Sequence, residues 1–101
     1  MSYASLLSLL MQAGTFQVSP GLLAKMSGIP KATIVNWMSG RVASPRHWQD
    51  IIRVADSLRL CRDSTDSLLQ AAGYGTVVEV HSAATEADRE LFSVWSSEIH
   101  Q

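Results

Sequence analysis

The chain has 101 residues, of which 47% are hydrophobic and 17% are charged. That length and composition suffice for one modest hydrophobic core and not for two. The sequence has no run of 18 apolar residues and no positively charged secretory start, so we expect a soluble cytoplasmic protein with no membrane contact. Cys61 is the single cysteine, which excludes an internal disulfide and a cysteine-rich zinc site.

The formal net charge of −1 hides an uneven distribution of charge along the chain. Residues 1–75 contain seven basic and four acidic side chains and carry +3, whereas residues 76–101 contain one basic and five acidic side chains and carry −4. We therefore divide the chain into a basic body, residues 1–75, and an acidic appendage, residues 76–101. The body is compatible with nucleic-acid binding, and the appendage would weaken non-specific attraction to phosphate.

Three short helices are predicted in the first 40 residues. Leucines and a methionine recur at helical spacing within residues 2–12, and a glycine follows at position 14. Ser19 followed by Pro20 starts a second helix, because the hydroxyl can accept an orphan amide and proline loses no hydrogen bond at the first helical position. Pro30 opens a third helix in the same way, and Gly40 ends it.

Two further helices complete the basic body. Ser44 and Pro45 repeat the start signal, and an amphipathic pattern then predicts a fourth helix from Pro45 through residue 60. Asp63 or Ser64 would cap a short fifth helix, which ends at Gly73. The body is therefore predicted to contain five helices and no strands.

The acidic appendage differs in character from the body. Residues 76–80 are β-prone and would form an extended arm, an edge strand or a linker. Thr85 with Asp88 resembles a capping box, and the helix that it would start has a large apolar face. That face either folds back on the body or contacts a second copy or another protein, and its residues are Leu91, Phe92, Trp95 and Ile99.

The second and third helices carry the most specific motif of the chain, a pair hinged at Gly28. The pair resembles the helix-turn-helix of the phage repressor and Cro type. The family pattern is met by Ser19, Leu23, Ala24, Gly28, Ile29, Thr33, Ile34, Trp37, Gly40 and Pro45. The resemblance implies an all-α fold: a five-helix repressor-like helix-turn-helix domain, here with an extra C-terminal helix. Two positions depart from the pattern, since Pro20-Gly21 replaces the glutamine that usually clamps phosphate and Met38 replaces a glutamate.

The third helix would supply the base-reading face. A turn of about 100° per residue from Pro30 places Ile34, Trp37 and Met38 inward and leaves the other side free. In the resembled family this free side enters the major groove of double-stranded DNA. The expected base-reading residues are Lys31, Ala32, Thr33, Val35 and Asn36, with Asn36 suited to adenine and Val35 or Ala32 to a thymine methyl.

Phosphate contacts are expected from helix starts and from cations beside the third helix, because exposed amides and positive charge attract anions. The candidates are Ser19, Lys25, Ser39, Arg41, Ser44 and Arg46.

The sequence thus predicts a sequence-specific DNA-binding transcriptional regulator of bacterial or phage type, a homodimeric repressor that uses residues 30–39 in the major groove. The alternative is a protein-interaction module with the same fold, the N-terminal part of a larger bacterial protein. An enzyme is not expected. The three histidines lack metal-ligand spacing and no glycine-rich phosphate loop is present, so we predict no catalytic residues, metal or cofactor.

Overall fold

The computed structural model describes residues 2–13 and 17–95, and every regular element in those ranges is helical. The prediction of an all-α fold is therefore confirmed for the described residues, and the first five helices are those expected in the basic body. In chain order the elements are α1 (Tyr3–Gln12), α2 (Pro20–Ser27), α3 (Lys31–Met38), α4 (Trp48–Ser57), α5 (Arg62–Ala71), α6 (Val77–Ala83), α7 (Glu86–Arg89) and a 3₁₀ helix (Glu90–Trp95).

Helix α1 lies against α3 and α5 through one apolar face. The hydroxyl of Ser2 caps the helix, and Tyr3, Leu7 and Met11 are buried because side chains four residues apart share a face. The ring of Tyr3 packs edge-on against Trp37 of α3, with the ring centroids 6.1 Å apart. This packing holds the inner side of α3 against the core. The stop predicted at residue 14 lies outside the described residues.

Helices α2 and α3 are joined by residues 28–30. The hydroxyl of Ser19 accepts a hydrogen bond from the amide of Leu22 at 3.2 Å, so Ser19 is the N-cap of α2, as predicted. Gly28 ends α2 with a φ of 77°, a left-handed conformation that glycine adopts without steric cost. Ile29 is buried in the turn, and Pro30 is the N-cap of α3 rather than its first residue.

The fourth helix begins later than predicted, so Ser44 does not start a helix. Helix α4 follows His47, which is its N-cap. The hydroxyl of Tyr74 lies 3.2 Å from the carbonyl oxygen of Pro45 and 2.8 Å from that of Arg46, so its single proton is shared between them with the shorter contact to Arg46. Neither carbonyl accepts the amide four residues on, and the amide of Asp50 donates to the carbonyl of His47 at 3.1 Å.

The turn after α4 contains a strained residue. Among the described residues, Arg59 is the one non-glycine residue with a positive φ, 53°. The amide of Arg59 donates to Asp56 and the amide of Leu60 donates to Ala55, which is the Schellman pattern of a helix end. The position that Arg59 occupies in this pattern is usually glycine, because a left-handed conformation costs an L-residue about 1–2 kcal/mol.

Replacing Arg59 by glycine is expected to raise the free energy of unfolding by about 0.5–1 kcal/mol, because relief of strain exceeds the added entropy of the unfolded chain. Urea unfolding followed by circular dichroism measures the change. Arg59→Ala is the matched control, since it removes the same charge but keeps the Cβ atom and should leave stability nearly unchanged. Equal effects of the two substitutions would show that the backbone is not strained there.

Helix α5 starts at a different residue from those predicted, but it ends where the sequence predicts. Its N-cap is Cys61, not Asp63 or Ser64. Its end follows the prediction, since Gly73 has a φ of 90° and closes a Schellman turn like that after α4. The side chain of the next residue, Tyr74, contacts the loop before α4.

The segment 76–80, expected as an arm, strand or linker, is instead the start of α6. The hydroxyl of Thr76 accepts from the amide of Glu79, whose carboxylate accepts from the amide of Thr76 at 3.2 Å, which completes a capping box. The carboxylate of Asp66 on α5 accepts from the amide of Val77 at 2.7 Å, and Val77 and Val80 are buried. Capping and packing against α5 therefore override the β propensity of the valines.

The last described segment folds back on the body. Thr85 caps α7 by accepting from the amide of Asp88, as predicted, but the α-helix changes to a 3₁₀ helix at Glu90. Phe92 is 1% exposed and Leu91 is half-buried. Of the two alternatives left open for this face, Phe92 follows the first, because its ring is buried within this chain. The predicted contacts of the Trp95 side chain and of Ile99 lie outside the described residues.

Candidate functional site

Helix α3 presents one face to solvent. Ile34 and Trp37 are buried and Met38 is half-buried, as the helical projection predicts. On the other side, four of the predicted residues are exposed, and Thr33 and Asn36 are half-buried at the edge of this face. The exposed residues are Lys31, Ala32, Val35 and Ser39. Most of this surface is therefore open to a macromolecular partner.

The chain after α3 turns back over the end of the helix. The carbonyl of Asn36 accepts from the amide of Val42 and from the hydroxyl of Ser39, both at 3.2 Å. The same hydroxyl accepts from the amide of Arg41 at 3.4 Å, and Gly40 has a φ of 79°. These bonds fix the backbone of Arg41 directly beside the C-terminal end of α3.

A groove of about 280 Å³ separates α3 from the start of α4. It brings two predicted base-reading residues, Thr33 and Asn36, beside one predicted phosphate contact, Arg46. Trp37 and Val42 form an apolar part of its wall, while the other residues are polar. The lining residues are Thr33, Asn36, Trp37, Val42, Arg46, His47 and Asp50.

The charges around α3 are mainly positive and unpaired. Within the described residues, Lys31, Arg41 and Arg46 form no ion pair, and all three are exposed. The groove also contains one carboxylate, Asp50, which pairs with Arg53 at 3.1 Å. Cations therefore flank α3 at its start and in the loop after its end.

Comparison with protein-family models, with curated proteins and with solved structures found no match to this chain. The function must therefore be argued from the side chains themselves. Within the described ranges, no helix combines the length and apolar content that a bilayer crossing requires. Nor do the described residues contain a group of three His, Cys, Asp or Glu side chains that could hold a metal ion.

The other predicted phosphate contacts are dispersed. Ser19 and Lys25 are exposed on α2, and Ser19 shares a small hollow with Met38 of α3. The hydroxyl of Ser39 is used within the turn after α3. Ser44 is half-buried in the loop, and the helix start expected there to bind phosphate is absent because α4 begins after His47.

Sequence reasoning missed three residues near the groove. His47 and Asp50 line the groove because α4 starts at Trp48. The prediction started this helix at Pro45 and therefore did not place these two residues beside α3. Tyr74 contacts the loop from α5, a contact across 28 residues that no local pattern indicates.

The ring of Tyr3 is buried against Trp37, which lines the groove, and its hydroxyl has no hydrogen-bond partner among the described residues. Burial, with a smaller contribution from the charge of Asp50, raises the pKa of Tyr3 well above its ordinary value.

The acidic appendage meets the body next to this site. The side-chain amide of Gln49 donates to the carboxylate of Asp88 at 3.1 Å. Asp88 also shares a hollow with Asp50 and Arg53 at the first turn of α4. The negative charge of α7 is thus placed beside the groove.

Proposed function

We propose that this chain is a sequence-specific DNA-binding transcriptional regulator that inserts α3 into the major groove. One observation carries the proposal: the exposed face of α3 is flanked by three unpaired cations, Lys31 at its start and Arg41 and Arg46 in the loop after its end. The tight connection of α2 to α3 through the left-handed Gly28 supports a helix-turn-helix of the repressor type.

The dimensions of α3 suit this role. The major groove of B-DNA is about 12 Å wide, and an α-helix with its side chains is about 10–12 Å across. The Asn36 amide can bond two edge atoms of adenine, and the exposed Val35 and Ala32 can contact a thymine methyl. Lys31 reaches guanine or phosphate from the first turn. Arg41, Arg46 and the amides at the start of α2 after Ser19 would hold the DNA backbone.

A dimer is part of the proposal. The exposed face of α3 carries a single formal charge, Lys31, so one copy would bind weakly. Two copies on half-sites one helical turn apart would add their contacts, as repressor-like proteins do. We propose repression as the outcome, because a dimer bound across a promoter obstructs its use.

A protein-interaction module is the second candidate. Leu22 and Met26, one turn apart on α2, are 44% and 45% exposed. Met26 also borders a hollow with Leu60 beyond the end of α4. Such an apolar strip suits a protein partner better than DNA.

Selection of bound sites from random double-stranded DNA tests the main proposal. Wild-type protein is expected to enrich a motif with two half-sites. Asn36→Ala should weaken the base preference at one position of each half-site by about 1–3 kcal/mol, because a bidentate contact to adenine is lost.

The matched control is Gln70→Ala, which removes an exposed side-chain amide from α5 and should leave the selected motif unchanged. Absence of an enriched motif, together with no retardation of any fragment at low salt, would refute DNA binding and favour the interaction module.

A further inference from the structure

Tyr74 connects the end of α5 to the loop that carries Arg46. Its hydroxyl oxygen lies 2.8 Å from the carbonyl oxygen of Arg46 and 3.2 Å from that of Pro45. Tyr74 is half-buried, whereas Arg46 is exposed and lines the groove beside α3. The phenol therefore contacts the backbone of the loop and leaves the guanidinium free.

The position of Tyr74 is itself fixed. Gly73, with a φ of 90°, closes α5, and the amide of Tyr74 donates to the carbonyl of Leu69 at 2.9 Å. Leu69 is fully buried in the core. Tyr74 also lines a hollow with Trp48, the first residue of α4. The phenol is thus held between two helices and presents its hydroxyl at a defined place.

The loop before α4 has two competing helix starts. Ser44 and Pro45 form a strong local start signal, yet α4 begins after His47. If the carbonyls of Pro45 and Arg46 were free, they could accept amides four residues on and extend α4 toward its N-terminus. Arg46 would then lie in the first turn of a helix and its side chain would leave the groove.

We propose that Tyr74 is a positioning residue that sets the start of α4 and so directs Arg46 toward the DNA backbone. The inference rests on the proposed function for its DNA arm, but its structural arm is independent of DNA. The hydroxyl acts through the loop and touches no ligand itself. Its removal should therefore alter both the backbone of residues 44–47 and the contribution of Arg46 to binding.

The structural arm compares Tyr74→Phe with wild type by backbone chemical shifts in solution. We expect residues 45–47 to move toward helical values while the rest of α4 and α5 stays unchanged. Tyr3→Phe is the matched control, because it removes the only other phenol hydroxyl, which has no partner among the described residues. Unchanged shifts at residues 45–47 would overturn the inference whether or not the protein binds DNA.

The DNA arm is a double-mutant cycle on the selected site. Tyr74→Phe should lower the affinity for DNA about fivefold, which is the change in an equilibrium constant that the net free energy of one hydrogen bond produces. Tyr3→Phe should leave the affinity unchanged. In an Arg46→Ala background, Tyr74→Phe should change the affinity less than about twofold, because the phosphate contact of Arg46 that Tyr74 positions is already absent. A fivefold loss in both backgrounds would overturn the positioning role. Failure of wild-type protein to bind any DNA would refute the proposed function and leave the structural arm standing.

Discussion

Replacing Phe92 by alanine is expected to lower the free energy of unfolding by about 3–5 kcal/mol. The ring is 1% exposed and lies between Trp48 of α4, at a centroid distance of 5.5 Å, and His81 of α6, at 5.1 Å. Its removal leaves a cavity between α4 of the basic body and α6 of the acidic appendage. Because small domains have total stabilities of about 5–15 kcal/mol, this single change would remove a large part of the margin.

Chemical denaturation of the full chain measures this effect. Ser93→Ala on the same 3₁₀ helix is the control, because Ser93 is exposed and its replacement should change stability by less than about 0.5 kcal/mol. The loss of stability for Phe92→Leu should fall between those for Phe92→Ala and Ser93→Ala. A loss below about 1 kcal/mol for Phe92→Ala would mean that residues 85–95 are not part of the cooperatively folded unit.

Helix ends that depend on neighbouring residues could be predicted from the sequence. Ser19 caps α2 through its own hydroxyl, and Gly28 and Gly73 end helices because the turns require a positive φ. The inner face of α3 was also predictable, since Ile34 and Trp37 follow the period of a helix. In each case the information lies within about four residues.

Two elements were predicted wrongly, and each contacts another part of the chain at its start. The signal at Ser44 and Pro45 is locally valid, but α4 begins only after His47, and the carbonyls of Pro45 and Arg46 accept the hydroxyl of Tyr74. The valines after Thr76 favour a strand by propensity, but a capping box and packing against α5 make them helical. Local patterns do not reveal the contact of Tyr74 with the loop or the packing of α6 on α5, whereas the capping box of Thr76 and Glu79 is a local signature that strand propensity outweighed in the prediction.

The candidate site was predicted only in part, because some of its residues are placed by contacts between distant parts of the chain. The exposed residues of α3 follow from helical geometry alone, whereas His47 and Asp50 enter the groove only because α4 starts late. The acidic residues of α7 were known from composition, but their place beside α4 depends on the bond from Gln49 to Asp88. Composition gave the charge of the appendage and packing gave its location.

The double substitution Arg41→Ala with Arg46→Ala is expected to weaken binding to all DNA sequences by about 10- to 100-fold at 0.1 M salt. Both side chains are exposed next to α3, and neither forms an ion pair among the described residues. Each phosphate contact contributes about 0.9 to the slope of log affinity against log salt, so the slope should fall by about 2 per bound copy. Titration of the selected site and of an unrelated sequence over a range of salt concentrations measures both quantities.

The control removes the same charge elsewhere, through Arg59→Ala with Arg62→Ala. These residues flank the turn after α4, and the groove lies at the other end of that ten-residue helix, about 15 Å away. Long-range attraction falls equally in both double variants, since the net charge changes by the same amount. Only the loss of direct phosphate contacts should lower the salt slope by about 2. If the two double variants have the same slope, Arg41 and Arg46 act through net charge alone, and the assigned phosphate contacts are wrong.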